Sequence, residues 1–337
     1  MRDLILNFPK QAEEAVAIGR AVAVRLNAKK VRAIVVSGLG GSAIGGDLLR
    51  AYLAGTCRVP VFVNRHYRFP AFVGPDTLVI VSSYSGNTEE TVASYREAVK
   101  RKAQVLCITS GGAVLRMAKR YRHPVIVIPG GLPPRAALGY SFFPMLLAVS
   151  RLGFVKDQTK AVHETLALLR TLAAEYADHD APGNAALALA RTLHGRLPLI
   201  YSGPERFDTV NVRWRGQITE NAKTLAFGHV FPELNHNEIV GWEVLQGLMK
   251  EMHVVMLRDE EDHPRVQLRM EVTKGIIAPM AAGVTEVRSR GRSLLARMFS
   301  LLVLADWLSF YLAMLNGVDP TPVKKIDFLK EALAKVK

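Results

Sequence analysis

Short apolar runs alternate with helix-length amphipathic segments along almost the whole chain, and that alternation leaves few folds open. Residues 33–37, 59–63, 77–82, 104–109 and 125–128 read as strands. A helix is expected over 9–26. Between and after the strands, helices are expected from the glycine turn at 38–43 to about residue 53, then over 88–101, 114–121 and 136–150. The pattern then restarts, with strands at 197–202, 253–257 and 284–287 and helices at 207–224, 264–274 and 294–315. The second half repeats the first in order and size. Apolar strands separated by helices predict parallel sheets covered on both faces. The expected class is therefore α/β, with two doubly wound parallel sheets. The more polar, mostly helical stretch 157–184 reads as the connection, which gives units of residues 1–153 and 154–337.

Composition narrows the partners. A chain of 337 residues, 49% hydrophobic and 22% charged, has enough apolar matter for two ordinary cores. Its first residues, Met1-Arg2-Asp3-Leu4, lack the apolar core of a signal peptide. The longest apolar stretch, 294–315, carries Arg297 and Asp306 and reads as a buried helix, not a membrane span. Cys57 and Cys107 have no metal-type spacing, so neither disulfides nor a zinc site is expected, and the location is expected to be cytoplasmic. The net charge of +14 favours anions. Its basic groups are scattered, and the densest, Lys29-Lys30-Val31-Arg32 and Lys119-Arg120-Tyr121-Arg122, read as solvated helix ends. No basic stripe is interleaved with aromatics, so a small phosphorylated metabolite is expected ahead of nucleic acid.

The turn Ser83-Tyr84-Ser85-Gly86-Asn87-Thr88 follows an apolar strand and opens a helix. Hydroxyls from Ser83, Ser85 and Thr88, with the N–H groups of a first helical turn, suit a phosphate. The turn lacks the lysine and spacing of a nucleotide-binding P-loop, which favours a sugar phosphate. A plain capped turn is the bland alternative. The stretch from Gly38 to Gly46 breaks the dinucleotide pattern at Ala43, and no acidic residue follows the second strand at the expected distance. At Gly41 the backbone could approach a sugar, and Ser42 could donate to phosphate. Arg135, at an expected helix start, opposes the helix dipole. It is either a surface residue or a guanidinium aimed at developing negative charge. Glu220, late in a helix, and His236, in a polar loop, are sixteen residues apart and could still face one pocket. The acidic turn after residue 257, Arg258-Asp259-Glu260-Glu261-Asp262, cannot cradle a phosphate, so one phosphate site per chain is expected.

The Ser83–Thr88 turn resembles the phosphosugar turn of sugar isomerase (SIS) domains. The fuller set is similar to the family of bifunctional phosphoglucose/phosphomannose isomerases. It comprises Ser37-Gly38-Leu39-Gly40-Gly41-Ser42, Pro134-Arg135-Ala136-Ala137, Glu220-Asn221-Ala222-Lys223, Asn235-His236-Asn237 and Gly317-Val318-Asp319-Pro320 leading to Ile326-Asp327-Phe328-Leu329-Lys330. These motifs span residues 37–330 in the family's order. The resemblance implies two SIS domains per chain, a homodimer with active sites at the interface, and aldose–ketose isomerisation through a cis-enediolate without metal or cofactor. It implies substrate binding at Gly41, Ser42, Ser83, Ser85 and Thr88. Glu220 would be the base between C1 and C2, and Arg135 would stabilise the enediolate. His236 would open the sugar ring from the partner subunit, and Lys330 would assist near the ring oxygen. One departure stands out: where some members have a threonine linked to handling both C2 epimers, this chain has Val323, with Thr321 two residues before.

Rival readings are a SIS module that senses a sugar phosphate without turning it over and a single-epimer isomerase. A third is the isomerase half of an amidotransferase, which would need an N-terminal nucleophilic cysteine where this chain opens Met1-Arg2. A metal-dependent mannose-phosphate isomerase would need a histidine cluster that the nine histidines do not form in sequence.

Overall fold

The computed structural model describes residues 1–335. Two helices open the chain, α1 (Arg2–Leu6) and α2 (Phe8–Ala21). The first half then runs β1 (Ala33–Ser37), α3 (Gly40–Leu53), β2 (Val61–Asn64), β3 (Thr77–Ser83), α4 (Glu89–Lys100), β4 (Gln104–Thr109), α5 (Gly112–Tyr121), β5 (Val125–Val127) and α6 (Leu138–Arg151). Helices α7 (Thr159–Ala177) and α8 (Ala185–Leu193) lead into the second half. That half runs β6 (Leu197–Ser202), α9 (Asp208–Ala222), β7 (Phe227–Val230), α10 (Gln246–Met249), β8 (Met252–Arg258), α11 (Pro264–Ile277), β9 (Gly283–Arg288), α12 (Leu294–Leu315) and α13 (Lys324–Ala334).

Every strand pairing is parallel, in the orders β2-β1-β3-β4-β5 and β7-β6-β8-β9. Strands β1 and β3 are buried along their whole length because both faces are covered. Successive side chains point to opposite faces of a strand. Accordingly Ile34, Val36, Leu78 and Ile80 enter one core with α3 and α6, while Val35, Val79 and Val81 enter a second with Val92, Tyr95 and Val114 of α4 and α5. The first of these cores continues into the other half through Ile200, Val255, Leu257 and α12. Leu199, Tyr201, Val254 and Met256 face a third core with Val266 and Met270 of α11. The expected α/β class with two parallel, doubly covered sheets is the observed one.

Helix α12 is the apolar stretch singled out above, and it is buried inside the protein. Its two charges are paired: Arg297 with Asp259 at 2.9 Å and Asp306 with Arg213 at 3.2 Å.

Several expectations need correction. The helix expected over 9–26 is α2, which ends at Ala21, and Val22 is already extended. The Arg151 guanidinium satisfies this end by donating to the carbonyls of Gly19, Arg20 and Val22. The segment 157–184 is more than a connector, since α7 buries Val162, Leu166, Leu169 and Leu172. The second half does not match the first in size, because its sheet has four strands against five. It also includes β7, which the apolar pattern missed. That strand is short and half exposed. Gly228 in it lies against β6, where an added Cβ would fall 2.1 Å from the Ile200 carbonyl oxygen. A glycine inside a strand marks such close backbone approach, and it was the available signal.

Candidate active site

In an open parallel sheet, ligands sit beyond the carboxyl ends of the strands where neighbouring strands send their chains to opposite faces. In the order β2-β1-β3-β4-β5 that point lies between β1 and β3. The glycine turn into α3 leaves from β1, and the Ser83–Thr88 turn into α4 leaves from β3. The two turns touch: the Tyr84 N–H donates to Ser42 Oγ at 3.1 Å.

Within the second turn, Ser83 Oγ accepts from the Gly86 N–H at 3.1 Å and lies 3.1 Å from Thr88 Oγ1. Ser85 Oγ accepts from the Asn87 N–H at 3.3 Å and its side chain is exposed. Thr88 is the N-cap residue of α4, yet no side chain caps that helix. The first-turn N–H groups are thus not taken by a capping side chain. Gly86 has φ +70°, and a Cβ there would sit 1.9 Å from the Gly111 carbonyl oxygen, so both backbone conformation and space require glycine.

Gly41 links this region to Arg135. A Cβ at Gly41 would lie 2.4 Å from the Pro134 carbonyl oxygen and 3.4 Å from the Arg135 backbone nitrogen. The backbone of Pro134 and Arg135 therefore leaves no room for a side chain at 41. Arg135 itself sits in a 3-10 turn, Pro134–Ala136, ahead of α6. It does not oppose a helix dipole, and it is no surface residue, being 4% exposed. Its Nε donates to Asn221 Oδ1 at 2.7 Å, and its Nη2 donates to the carbonyls of Pro320 and Thr321, both at 2.7 Å. Nη1 faces Glu220 Oε2 at 3.7 Å. Burial lowers the Arg135 pKa, the Glu220 charge opposes that shift, and the group stays a cation as arginines do.

Glu220, half-buried near the end of α9, lines a cavity of about 740 Å³ with Thr219, Lys223 and Val323. Lys223 ends the helix in the left-handed conformation, and its Nζ donates to the carbonyls of Glu220 and Pro322. Burial, with the Arg135 charge adding to it, lowers the Lys223 pKa. Arg135 and Lys223 together bind the three successive carbonyls of residues 320–322, and the next residue, Val323, lines the cavity that Glu220 lines.

Ser42, Ser83, Thr88, Gly41, Arg135 and Glu220 thus form one run of contacts within a chain. His236 and Lys330 are outside it. His236 ends a 3-10 turn, Glu233–His236, and is exposed. Lys330 is exposed on α13, a helix with no buried side chain among the described residues. The residues that stand behind Arg135 carry little local signal in the sequence. Asn221 falls within a family motif, while Arg213, which bonds the Arg135 carbonyl, Gln217, which bonds Asp306, and Ser309, which bonds Asn221, carry no local signal. Asp306 had one, as a lone acid in an apolar helix. Burial raises its pKa and Arg213 opposes that.

The corresponding point of the second sheet, between β6 and β8, is filled. Asp259 and Glu261 of the acidic turn hold the buried Arg297 guanidinium at 2.9 and 2.6 Å. Gly203 after β6 abuts the carboxylate of Asp262, whose pKa burial pushes up to about 6.

A family model described as the bacterial phospho-glucose isomerase C-terminal SIS domain matches residues 183–333, and the SIS domain model matches residues 28–127. Among solved structures, a hypothetical protein from Thermus thermophilus superimposes with a TM-score of 0.75 at 17% identity, covering 98% of this chain and 89% of that one. The C-terminal domain of glucosamine-fructose-6-phosphate aminotransferase from Francisella tularensis gives 0.68 at 16% identity, covering 95% and 97%. These two share the fold. The bifunctional phosphoglucose/phosphomannose isomerase of Caldicellulosiruptor bescii is 45% identical over the full length of both chains. The protein of the same name from Aquifex aeolicus is 37% identical over 90% of this chain and 91% of its own. With identity at that level sustained across both sheets and the loop to α13, the chain belongs to the bifunctional phosphoglucose/phosphomannose isomerase family.

Proposed function

We propose that this protein interconverts glucose 6-phosphate, fructose 6-phosphate and mannose 6-phosphate through an enediolate, without metal or nucleotide. The observation that carries the reading is the Arg135–Glu220 pair, 3.7 Å apart, with Glu220 lining a cavity and the Arg135 turn packed on the glycine turn, which itself bonds the hydroxyl-rich turn at the β1/β3 switch point. Glu220 removes the C2 proton of the open-chain aldose and returns it at C1, while the hydroxyl proton of O2 passes to O1, leaving the carbonyl at C2. The carbonyl oxygen carries the negative charge in between, and the Arg135 cation stabilises it. Ser42, Ser83, Ser85, Thr88 and the α4 N-terminus bind the phosphate, whose binding energy is remote from the reacting carbons and orients them.

His236 opens the ring from the partner subunit of a homodimer, and Lys330 acts near the ring oxygen. Support for a dimer comes from the surface following His236. Val240, Val244 and Leu245 are 70%, 82% and 64% exposed, and Phe328 and Leu329 on α13 are 73% and 57% exposed. Large apolar side chains left this exposed are the kind that interaction surfaces cover.

The test is a coupled assay of fructose 6-phosphate conversion to both aldose phosphates in excess EDTA. Activity on both is expected. Complete loss in EDTA with recovery on zinc would overturn the metal-free mechanism, and binding without turnover would favour a sensing module.

Both epimers share one enediolate, so the C2 epimer formed depends on the space and hydrogen bonds around C2. Valine and threonine are nearly isosteric, so Val323 preserves the space and lacks one hydroxyl. A hydrogen bond is worth about 0.5–1.5 kcal/mol, a several-fold effect on rate. Val323→Thr should therefore raise the mannose 6-phosphate rate several-fold relative to the glucose 6-phosphate rate. An unchanged ratio would remove residue 323 from the control of epimer choice.

A further inference from the structure

For Arg135 to act on the reacting centre, one nitrogen of its fork must be presented to it. The structure shows what occupies the others. Nη2 is taken by the Pro320 and Thr321 carbonyls and Nε by Asn221 Oδ1, which leaves Nη1 toward Glu220. The backbone of Arg135 is fixed as well, its carbonyl accepting from Arg213 Nη2 at 2.6 Å, and Arg213 is paired with Asp306.

The Asn221 contact has a direction that can be derived. Asn221 is fully buried, and its Nδ2 donates to Ser309 Oγ at 3.0 Å. Ser309, also fully buried, donates its one proton to the Asp306 backbone carbonyl at 2.9 Å. A carbonyl only accepts, so toward Asn221 the Ser309 oxygen only accepts. Arg135 Nε–H only donates. Both ends therefore demand the same amide orientation: NH₂ toward Ser309 and C=O toward Arg135. A flipped amide would set donor against donor at Arg135. The relay from the Asp306 carbonyl through Ser309 and Asn221 to Arg135 joins α12, α9 and the turn before α6 into one polar chain.

We propose that Asn221, oriented by Ser309, is the positioning residue that turns Arg135 Nη1 toward Glu220 and the substrate. This rests on the catalytic role given to Arg135 above. Residue 221 follows the base directly, so one helix end carries the base and the acceptor that aims its cationic partner. A neutral acceptor leaves the full positive charge of Arg135 for Glu220 and the enediolate, whereas a carboxylate at 221 would partly cancel it. That weaker field would stabilise the Glu220 carboxylate and the enediolate less.

The experiment compares Asn221→Leu, Ser309→Ala, their double variant, Asn221→Asp and Arg135→Gln in the full-length protein. Asn221→Leu should lower kcat about 10–100-fold, by analogy with the loss of outer-shell partners that orient metal ligands. KM for fructose 6-phosphate should stay within about threefold, because phosphate contacts are untouched. Ser309→Ala should lower kcat several-fold alone and add nothing in the Asn221→Leu background, since the two act through one contact. Asn221→Asp should shift the acid limb of kcat/KM to higher pH. If Asn221→Leu does not fold, Ser309→Ala and the Asn221→Asp pH profile carry the test. Wild-type kcat in Ser309→Ala with an unshifted Asn221→Asp profile would overturn the proposal while Arg135→Gln remains inactive. Activity retained in Arg135→Gln would instead overturn the role of Arg135 and the proposal with it.

Discussion

Glu220→Gln should lose about 10²–10⁴-fold or more in kcat, the range for removal of a general base. The substitution keeps the shape of the side chain and takes away only its charge and its capacity to hold a proton. Arg135, 3.7 Å away, loses an ion-pair partner but keeps its bonds to Asn221, Pro320 and Thr321, so the cation stays in place. The hydroxyl turn that would bind phosphate bonds within itself and to the glycine turn, independently of Glu220, and should bind substrate as before. Fructose 6-phosphate affinity, measured by calorimetry on the inactive variant, is therefore expected to stay near the wild-type KM. Exchange of the C2 proton with deuterated solvent, followed by NMR, should disappear along with turnover. A kcat within about threefold of wild type would reject Glu220 as the base, since no general base contributes so little.

How much of this was readable from sequence depended on whether the physics was local. The sheets were legible because a strand buried on both faces needs an apolar run, as 78–81 is, and because a helix must separate parallel neighbours. The hydroxyl turn was legible because Gly86 and its neighbours form one short stretch. β7 was not, since an edge strand with Gly228 and His229 carries no apolar run. The surroundings of Arg135 were not legible either. Its acceptors come from residues 221, 320 and 321, brought together by the packing of α9 on α12. No spacing rule relates those positions. The family motifs did quote most of these residues, but what they do to one another appears only in three dimensions. The acidic turn is an intermediate case. Its charge argued against phosphate, while its partner, Arg297, lies well outside the motif and was noted only as a charge in an apolar helix.

A site shared between subunits has a consequence that a site within one chain lacks. Glu220→Gln and His236→Ala should each be nearly inactive alone, His236→Ala through loss of ring opening. When the two chains are co-expressed, about half of the dimers combine one of each if assembly is random. In such a mixed dimer one site takes Glu220 from the His236→Ala chain and His236 from the Glu220→Gln chain, so it is intact. The other site carries both defects. About a quarter of wild-type activity should therefore return, from two inactive parents, in a two-fold dimer with sites across its interface. The exposure of His236 and of Val240, Val244 and Leu245 after it is the observation that favours this arrangement. Open-chain substrate makes a second arm, because a ring-opening residue is dispensable once the ring is open. The rate on freshly supplied open-chain aldehyde should be restored in His236→Ala and remain absent in Glu220→Gln. No recovery in purified mixed dimers, with His236→Ala still inactive, would mean that each site draws both residues from one chain.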